Sequence, residues 1–151
     1  MPYIPEDAEW YLAEIVEEIT VEDAAENVVH INVILIHAHS PEEAYSKAQA
    51  HGEENAMTYL NPQGKTVTAY FRGLRDIFVI YEDLTDGAEI MYEEYVGMPE
   101  EELRETVKPR DRLSIFSDPV TPANRPDYAS KEVVDDLQAF FEQRDEGKTK
   151  V

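Results

Sequence analysis

Two long apolar segments with the two-residue period of β-strands lie close together near the start of the chain, at residues 10–21 and 28–38. Successive side chains of a strand point to opposite faces of a sheet, so this alternation predicts two strands. Residues 22–27 between them are mostly polar, as expected for the connection of an antiparallel hairpin. The second segment is apolar on both faces, which is typical of a central strand covered on both sides. We therefore expect this strand to anchor the core.

A helix start follows the second strand directly. Ser40 has the side-chain oxygen of an N-cap, Pro41 is at the first helical position, and Glu43 at the third position completes a capping box. Gly52 is placed to end the helix in a left-handed C-cap, so the pattern predicts a helix over residues 41–51. Its predicted buried stripe consists of Ala44, Tyr45 and Ala48.

Three further strands are predicted in the middle of the chain, over residues 65–71, 75–82 and 88–96. Gly73 separates the first two, and Asp86-Gly87, a frequent hairpin turn, leads into the third. The sequence thus predicts an α+β fold with an antiparallel sheet of about five strands and one helix packed on a face. A short acidic helix over residues 99–107 and an extended piece over residues 113–116 follow.

The composition changes after residue 116, where three prolines lie within a short stretch. We interpret residues 1–116 as a single α+β domain, residues 117–129 as a Pro-rich linker and residues 130–151 as a C-terminal helix whose tail, from residue 146, is frayed. The helix carries one apolar stripe at helical spacing. The stripe consists of Val133, Val134, Leu137, Phe140 and Phe141. Two locations are open for it: the core of its own chain, or a neighbouring chain in a homodimer formed by helix exchange.

The chain is strongly acidic, with 33 Asp and Glu residues against 13 Lys and Arg residues and a formal net charge of -20. Such a surface repels nucleic acid phosphates and anionic lipid headgroups, so we expect no nucleic acid and no membrane partner. It favours a basic protein partner. Aromatic residues make up 10% of the chain, which separates it from disordered acidic chains. The absence of cysteine excludes disulfides, thiolate metal sites and cysteine nucleophiles.

The N-terminal residues have neither the basic region nor the apolar core of a signal peptide. No uninterrupted apolar run approaches the roughly 20 residues that a membrane helix needs. We therefore expect a soluble, cytoplasmic protein.

His37 and His39 form the one local arrangement with metal-ligand character. Residues two apart on a strand point the same way, so this spacing places both imidazoles within reach of one ion. A third ligand has to come from elsewhere, with His30, His51 and many carboxylates as candidates. The alternative is that the two histidines simply end a strand at the surface, since pairs without a fixed third partner are common by chance. No motif indicates a cofactor.

Arg72 and Arg75, on either side of a glycine, are the densest basic spot in the chain. Two guanidinium groups in this arrangement predict an anion-binding site, with internal pairing to carboxylates of the fold as the alternative. The many pairs of adjacent glutamates indicate solvated faces, because neighbouring side chains diverge on both strands and helices. No catalytic residue is predicted, since the chain has no nucleophile triad, phosphate-binding loop or zinc-protease motif.

Several short motifs occur together in an order that resembles a known bacterial family. The motifs are Trp10-Tyr11-Leu12-Ala13-Glu14-Ile15, Ser40-Pro41-Glu42-Glu43-Ala44, Gly73-Leu74-Arg75-Asp76, Asp86-Gly87-Ala88-Glu89 and Tyr92-Glu93-Glu94. Over about residues 10–116 the chain is similar to the family catalogued as domain of unknown function 4288. The resemblance implies a small bacterial α+β domain, and it implies no activity and no site residues. The linker and the final helix lie outside it.

These observations favour a non-enzymatic binding or regulatory module that presents a negative surface to a basic protein, by analogy with proteins that neutralise toxins. One alternative is a small enzyme or metal-dependent site around His37, His39 and Arg75. Another is a structural homodimer formed through the C-terminal helix.

Overall fold

The computed structural model of the protein describes residues 2–148, in which a curled antiparallel sheet is accompanied by helices. The strands are β1 (Trp10–Val21), β2 (Val28–His37), β3 (Met57–Leu60) and β4 (Thr66–Val79). Their order in the sheet is β2-β1-β4-β3, and every neighbouring pair is antiparallel. The predicted mixture of helices with an antiparallel sheet is confirmed. The predicted number of about five strands is wrong, because the described residues form four.

Three α-helices and one 3-10 helix are present in the described residues. They are α1 (Pro41–Glu54), α2 (Glu100–Thr106), α3 (Lys131–Lys148) and the 3-10 helix Arg110–Arg112. The short acidic helix predicted over residues 99–107 is confirmed as α2. The extended piece predicted over residues 113–116 is wrong, because this segment is a turn in which the Phe116 N–H donates to the Leu113 carbonyl at 2.8 Å. No helix within residues 2–148 is long and apolar enough to cross a membrane.

Two of the predicted strands are one continuous strand, and a third does not form. β4 passes through Gly73, which pairs with Val16 of β1 and has a φ of 135°. Glycine tolerates this angle, so the register shifts at this point without ending the strand. Residues 88–96 contain no strand, although Gly87 has the positive φ of a turn. The four-residue β3 was not predicted from the sequence.

β1, and not β2, is the central strand of the sheet. β1 pairs with β2 along one edge and with β4 along the other, whereas β2 lies at the edge of the sheet. The prediction that β2 is covered on both sides is therefore wrong. Three of its apolar side chains stay about half exposed: Val29 (51%), Val33 (51%) and Leu35 (50%). An apolar pattern on both faces shows that a strand has surface to bury, and it does not show that a neighbour buries it.

The start of α1 follows the predicted capping pattern. The Ser40 side chain accepts the N–H of Glu43 at 3.1 Å. The Glu43 carboxylate accepts the N–H of His39 at 3.1 Å, so it reaches one residue further back than in a standard capping box. This hydrogen bond, followed by the one from Lys47, holds the pKa of the Glu43 carboxyl below its usual value. The first turn of α1 is thus tied to His39, two residues after the end of β2.

Gly52 does not end α1, as was predicted, but lies inside the helix against the sheet. The helix continues to Glu54 with Asn55 as its C-cap. Gly52 is buried, and a Cβ atom at this position would stand 2.5 Å from ring carbons of Phe71 in β4. The buried stripe of α1 consists of Ala44, Ala48 and Gly52, and the predicted member Tyr45 is exposed. Small side chains on this stripe let the helix approach the sheet closely.

The core lies between α1 and one face of the sheet and continues toward β3. One cluster joins α1 to β1 and β2, and its buried members are Tyr11, Ala13, Ile36, Ala38, Ala44 and Ala48. A second cluster, formed by Ile19, Val21, Val67 and Ala69, lies at the other end of β1, and Tyr59 and Tyr128 pack against it. Both clusters include residues of β1, so this strand connects the two halves of the core.

Residues 117–129 contain no helix or strand, but their end is held on the sheet. The Tyr59 hydroxyl donates to the Tyr128 carbonyl, and the Asn61 side-chain amide donates to the Asp127 carbonyl at 2.9 Å. The Tyr128 ring also packs edge-on against His30, with centroids 5.4 Å apart. These contacts fix the point from which α3 begins.

α3 has no buried residue. Four side chains of its apolar stripe are more than half exposed: Val133 (56%), Leu137 (51%), Phe140 (53%) and Phe141 (57%). Of the two locations considered for the stripe, burial in the core of its own chain is therefore wrong. The frayed tail was predicted from residue 146, yet residues 146–148 are helical and residues 149–151 lie outside the described part of the chain.

We expect Gly52→Ala to lower the free energy of unfolding by about 1–3 kcal/mol, because the added methyl group overpacks the contact with Phe71. The matched control is Gly147→Ala in α3, where nothing lies within 4 Å of the added atom. Helix propensity alone makes that change neutral or stabilising by up to about 1 kcal/mol. Urea denaturation measures both variants. Equal stability of the two variants would contradict the close packing of α1 on β4.

Candidate functional site

His37 and His39 lie together at the end of β2, with their ring centroids 5.4 Å apart. Trp10 packs against His37, at 4.8 Å between ring centroids. Within residues 2–148 no group of three or more His, Asp or Glu side chains is arranged to hold a metal ion. The structure therefore brings the predicted pair together without a third ligand.

Of the candidates for the third ligand, the two histidines lie in unsuitable places: His30 is occupied elsewhere and His51 lies in a cleft that also contains a lysine. His30 contacts Tyr128 at the other end of β2. His51 shares a cleft of about 430 Å³ with His37, and Lys47 also lines that cleft. The Lys47 ammonium donates to the His37 carbonyl at 2.7 Å, and its positive charge opposes a metal cation at this place. The metal site stays a prediction that the described geometry does not favour.

Arg72 and Arg75 pair with two different glutamates of β1. The Arg75 guanidinium donates two hydrogen bonds to the Glu14 carboxylate, one of them from Nε at 3.0 Å. Arg72 Nη1 lies 3.7 Å from Glu18 Oε1. The hydrogen bond to Glu14 raises the pKa of Arg75, and the charges of Glu93 and Asp76 add to this effect. The structure thus shows the internal pairing that was the alternative to an anion site.

Arg75 compensates the charge of Glu14 inside the fold. This residue lies in the middle of the central strand and is only 5% exposed. A buried carboxylate requires a charged or hydrogen-bonding partner, because removal from water disfavours its ionised form. Glu18 is less dependent on its arginine: hydrogen bonds from Asn27 and Tyr70 are the main causes that hold the pKa of its carboxyl below the usual value.

A cleft of about 530 Å³ lies where the end of β4 meets the irregular segment that follows it. We call it the tyrosine cleft. Its lining combines aromatic, aliphatic and acidic side chains. The residues are Phe78, Val79, Tyr81, Glu82, Glu89, Ile90, Met91, Tyr92 and Glu94. Its volume lies within the range of about 300–1,000 Å³ that is usual for ligand sites.

Hydrogen bonds hold both walls of the tyrosine cleft. The Glu82 carboxylate accepts the backbone N–H of Glu89 at 2.6 Å, which closes a loop within the irregular segment just after β4. The Tyr81 hydroxyl donates to the Tyr3 carbonyl at 3.2 Å. The first contact brings the two ends of residues 82–89 together, and the second ties the start of this segment to the N-terminal residues.

Sequence reasoning missed the tyrosine cleft because it interpreted residues 88–96 as a strand. A strand would have paired along β4 and left no cavity. The available signal was the presence of three tyrosines and four glutamates between residues 81 and 95. That composition is typical of surfaces that bind cations or proteins.

Comparison with known proteins places the chain in one family. The family described as a domain of unknown function (DUF4288) matches residues 10–92, more than half of the chain, so the chain belongs to this family. The match is shorter than the expected 10–116, and it includes the sheet, α1 and most of the tyrosine cleft. No curated protein and no solved structure matches the chain. The family description assigns no activity.

We expect Arg75→Met to lower the melting temperature by several degrees, and by more than Arg72→Met, because only the first leaves a buried carboxylate without its cation. Adding Glu14→Gln to Arg75→Met restores part of the loss, since the uncompensated charge is removed. Thermal unfolding followed by circular dichroism measures the set. Equal losses for the two arginine variants would contradict the structural role of the Glu14–Arg75 pair.

Proposed function

We propose that this member of the DUF4288 family is a non-enzymatic protein-binding module that recognises a basic protein through α3. In this proposal the sheet and α1 form a stable platform, and α3 is the recognition element. A regulatory role follows directly, because an acidic protein that covers a basic one changes what the basic protein can bind. Neutralisation of a toxin is one form of such regulation.

The exposure of α3 carries the proposal. An 18-residue amphipathic helix normally buries its apolar stripe, because most of the stability of a helix in a protein comes from packing that stripe. Here four of the five stripe side chains are more than half exposed, and only Val134 is partly covered. Contiguous exposed apolar surface of this kind marks interaction sites in soluble proteins. An amphipathic helix of this length is suited to a groove on a partner.

The surface area of the whole chain supports the same conclusion. The accessible surface is 11990 Å² for a mass of 17.3 kDa. A compact monomer of this mass exposes about 7,800 Å² by the usual scaling with mass. The excess of roughly 4,000 Å² is several times the 800 Å² or so that each partner buries in a standard interface. The chain therefore has ample surface to bury against a partner.

The charge of α3 determines the chemistry of that partner. Residues 131–148 contain six acidic and three basic side chains, in a chain whose formal net charge is -20. An apolar groove with a basic rim is complementary to this helix, and charge complementarity accelerates association and excludes acidic competitors. Ion pairs at such a rim are screened by salt.

A model partner tests the proposal. The probe is an 18-residue synthetic helix with a leucine stripe and lysine at its other positions, and isothermal titration calorimetry measures its affinity. We expect saturable binding that weakens about tenfold or more between 50 and 500 mM NaCl, because rim charges are screened. Phe140→Ser with Phe141→Ser is expected to weaken binding about tenfold or more, because two aromatic contacts are lost.

The matched control is Val107→Ser with Val120→Ser, which removes two apolar side chains that are 71% and 93% exposed outside α3. Both double variants keep the net charge. We expect the control to bind like the original protein and both variants to keep its melting temperature. Equal affinity of the α3 variant and the control would show that the probe senses only overall charge, and would contradict recognition by α3.

A homodimer is the second candidate, because exposed apolar residues on β2 offer a surface for the α3 stripe of another copy. Two copies with a net charge of -20 repel each other, so added salt strengthens self-association while it weakens binding to a basic partner. Sedimentation velocity at 50 and 500 mM NaCl separates the candidates. The first proposal expects a monomer at both concentrations. A dimer that grows with salt and disappears in the Phe140→Ser, Phe141→Ser variant would favour the second.

A further inference from the structure

We infer that the tyrosine cleft is a receptor for an arginine side chain of the basic partner. The inference rests on the proposed function, because the basic partner is the source of the arginine. The chemistry of the ligand is inferred from the geometry of the cleft. It gives the module a second contact, on the folded sheet domain, in addition to α3.

The walls of the tyrosine cleft match the two parts of an arginine side chain. Tyr81 and Tyr92 provide aromatic rings on which a flat guanidinium group stacks. Val79, Ile90 and Met91 provide apolar surface for the aliphatic stem. The tyrosine rings are 66% and 72% exposed, so they are accessible to a side chain that enters from solvent.

Four arginines lie over aromatic rings within the described residues, and two of them lie close to the ring. The Arg110 guanidinium lies 4.0 Å from the centroid of the Phe116 ring, and that of Arg125 lies 4.3 Å from the centroid of the Tyr128 ring. In the tyrosine cleft the aromatic half of such a pair is present without its cation. None of the residues that line the cleft, as far as the chain is described, is Lys, Arg or His.

Some carboxylates at the tyrosine cleft accept hydrogen bonds from the chain itself, and others have no partner in the described residues. Glu82 accepts a hydrogen bond from the chain itself, and neighbouring Glu93 accepts one from the Tyr95 hydroxyl at 3.1 Å. The side chains of Glu89 and Glu94 have no hydrogen-bond or ion-pair partner within residues 2–148. Two free carboxylates beside aromatic rings favour a ligand that carries positive charge.

A metal ion and a neutral ligand both fit this site less well. The acidic side chains of the cleft are not among any group able to hold a metal ion in the described structure. A neutral apolar ligand would gain nothing from the two exposed carboxylates, which stay hydrated. An organic cation with an apolar stem uses all parts of the lining, and the planar, bidentate guanidinium group is the best match to rings and carboxylates together.

The test is an NMR titration of the full chain with N-acetyl-argininamide, observed through the methyl group of Met91. N-acetyl-citrullinamide, which has the same shape without the charge, is the matched ligand control. We expect saturable shifts with a Kd of about 1 mM for the arginine probe, which is the affinity of a single side-chain contact. The citrulline probe is expected to bind at least about fivefold more weakly. Equal shifts with both probes would overturn the inference.

Two sets of variants locate the binding. Glu89→Gln with Glu94→Gln is expected to weaken the arginine probe about fivefold or more, whereas Glu101→Gln with Glu105→Gln, the same charge change in α2, leaves it unchanged. Tyr92→Leu is expected to weaken it similarly, whereas Tyr45→Leu on α1 does not. Amide spectra of each variant confirm that the fold is kept. Weaker binding of the arginine probe by the control variants, or unchanged binding by the cleft variants, would overturn the assignment.

Further probes distinguish a protein side chain from a free small cation. Choline and spermidine carry positive charge without a guanidinium group, and we expect both to bind more weakly than the arginine probe. Tighter binding of either would assign the tyrosine cleft to a free cation and overturn the inference. If the arginine probe does not bind but the lysine-rich helix still binds in a way that depends on α3, the arginine inference is wrong and the proposed function stands. If the arginine probe binds in the tyrosine cleft but binding of the lysine-rich helix does not depend on α3, the cleft is an arginine site and the proposed function is wrong.

Discussion

β1 is hydrogen-bonded along both of its edges, to β2 over residues 10–19 and to β4 over residues 11–21. The core of the fold depends on this pairing, because both core clusters include residues of β1. The strand also carries the buried Glu14, whose charge is compatible with this position only because Arg75 reaches it from β4. A central strand that is paired twice and buried along most of its length gives the small domain a rigid platform.

One face of the sheet is covered by α1, whereas other apolar parts of the protein remain exposed. α1 closes one face through small residues, of which Gly52 allows the closest approach to the Phe71 ring. The edge strand β2 and the helix α3 keep apolar side chains in solvent. Apolar exposure and high negative charge occur together in α3, and this combination favours association with a basic protein over association with a second acidic copy.

Local sequence signals predicted the local structure well, and they failed where a distant contact decides the outcome. The alternation over residues 10–21 gave the bounds of β1, and Ser40 marked the start of α1, because both depend on neighbouring residues. Gly52 and Gly73 were interpreted as breaks, yet one is a packing position and the other an irregularity inside a strand. His37 and His39 lie together as predicted, whereas Arg72 and Arg75 pair separately with Glu18 and Glu14 of β1, which the local sequence around the arginines does not reveal. The tyrosines and glutamates between residues 81 and 95 are visible in the sequence, but the tyrosine cleft that they line forms only because an irregular segment returns to the end of β4.

Native-state hydrogen exchange tests most directly the claim that a rigid sheet carries an unpacked recognition helix. In the free protein at low salt, the amides of β1 are predicted to exchange only through global unfolding, whereas those of α3 exchange at least about a hundredfold faster, because α3 has no buried residue and packs only slightly, against β3. Protection of the α3 amides equal to that of β1 would contradict the account, since it would mean that the helix is already buried.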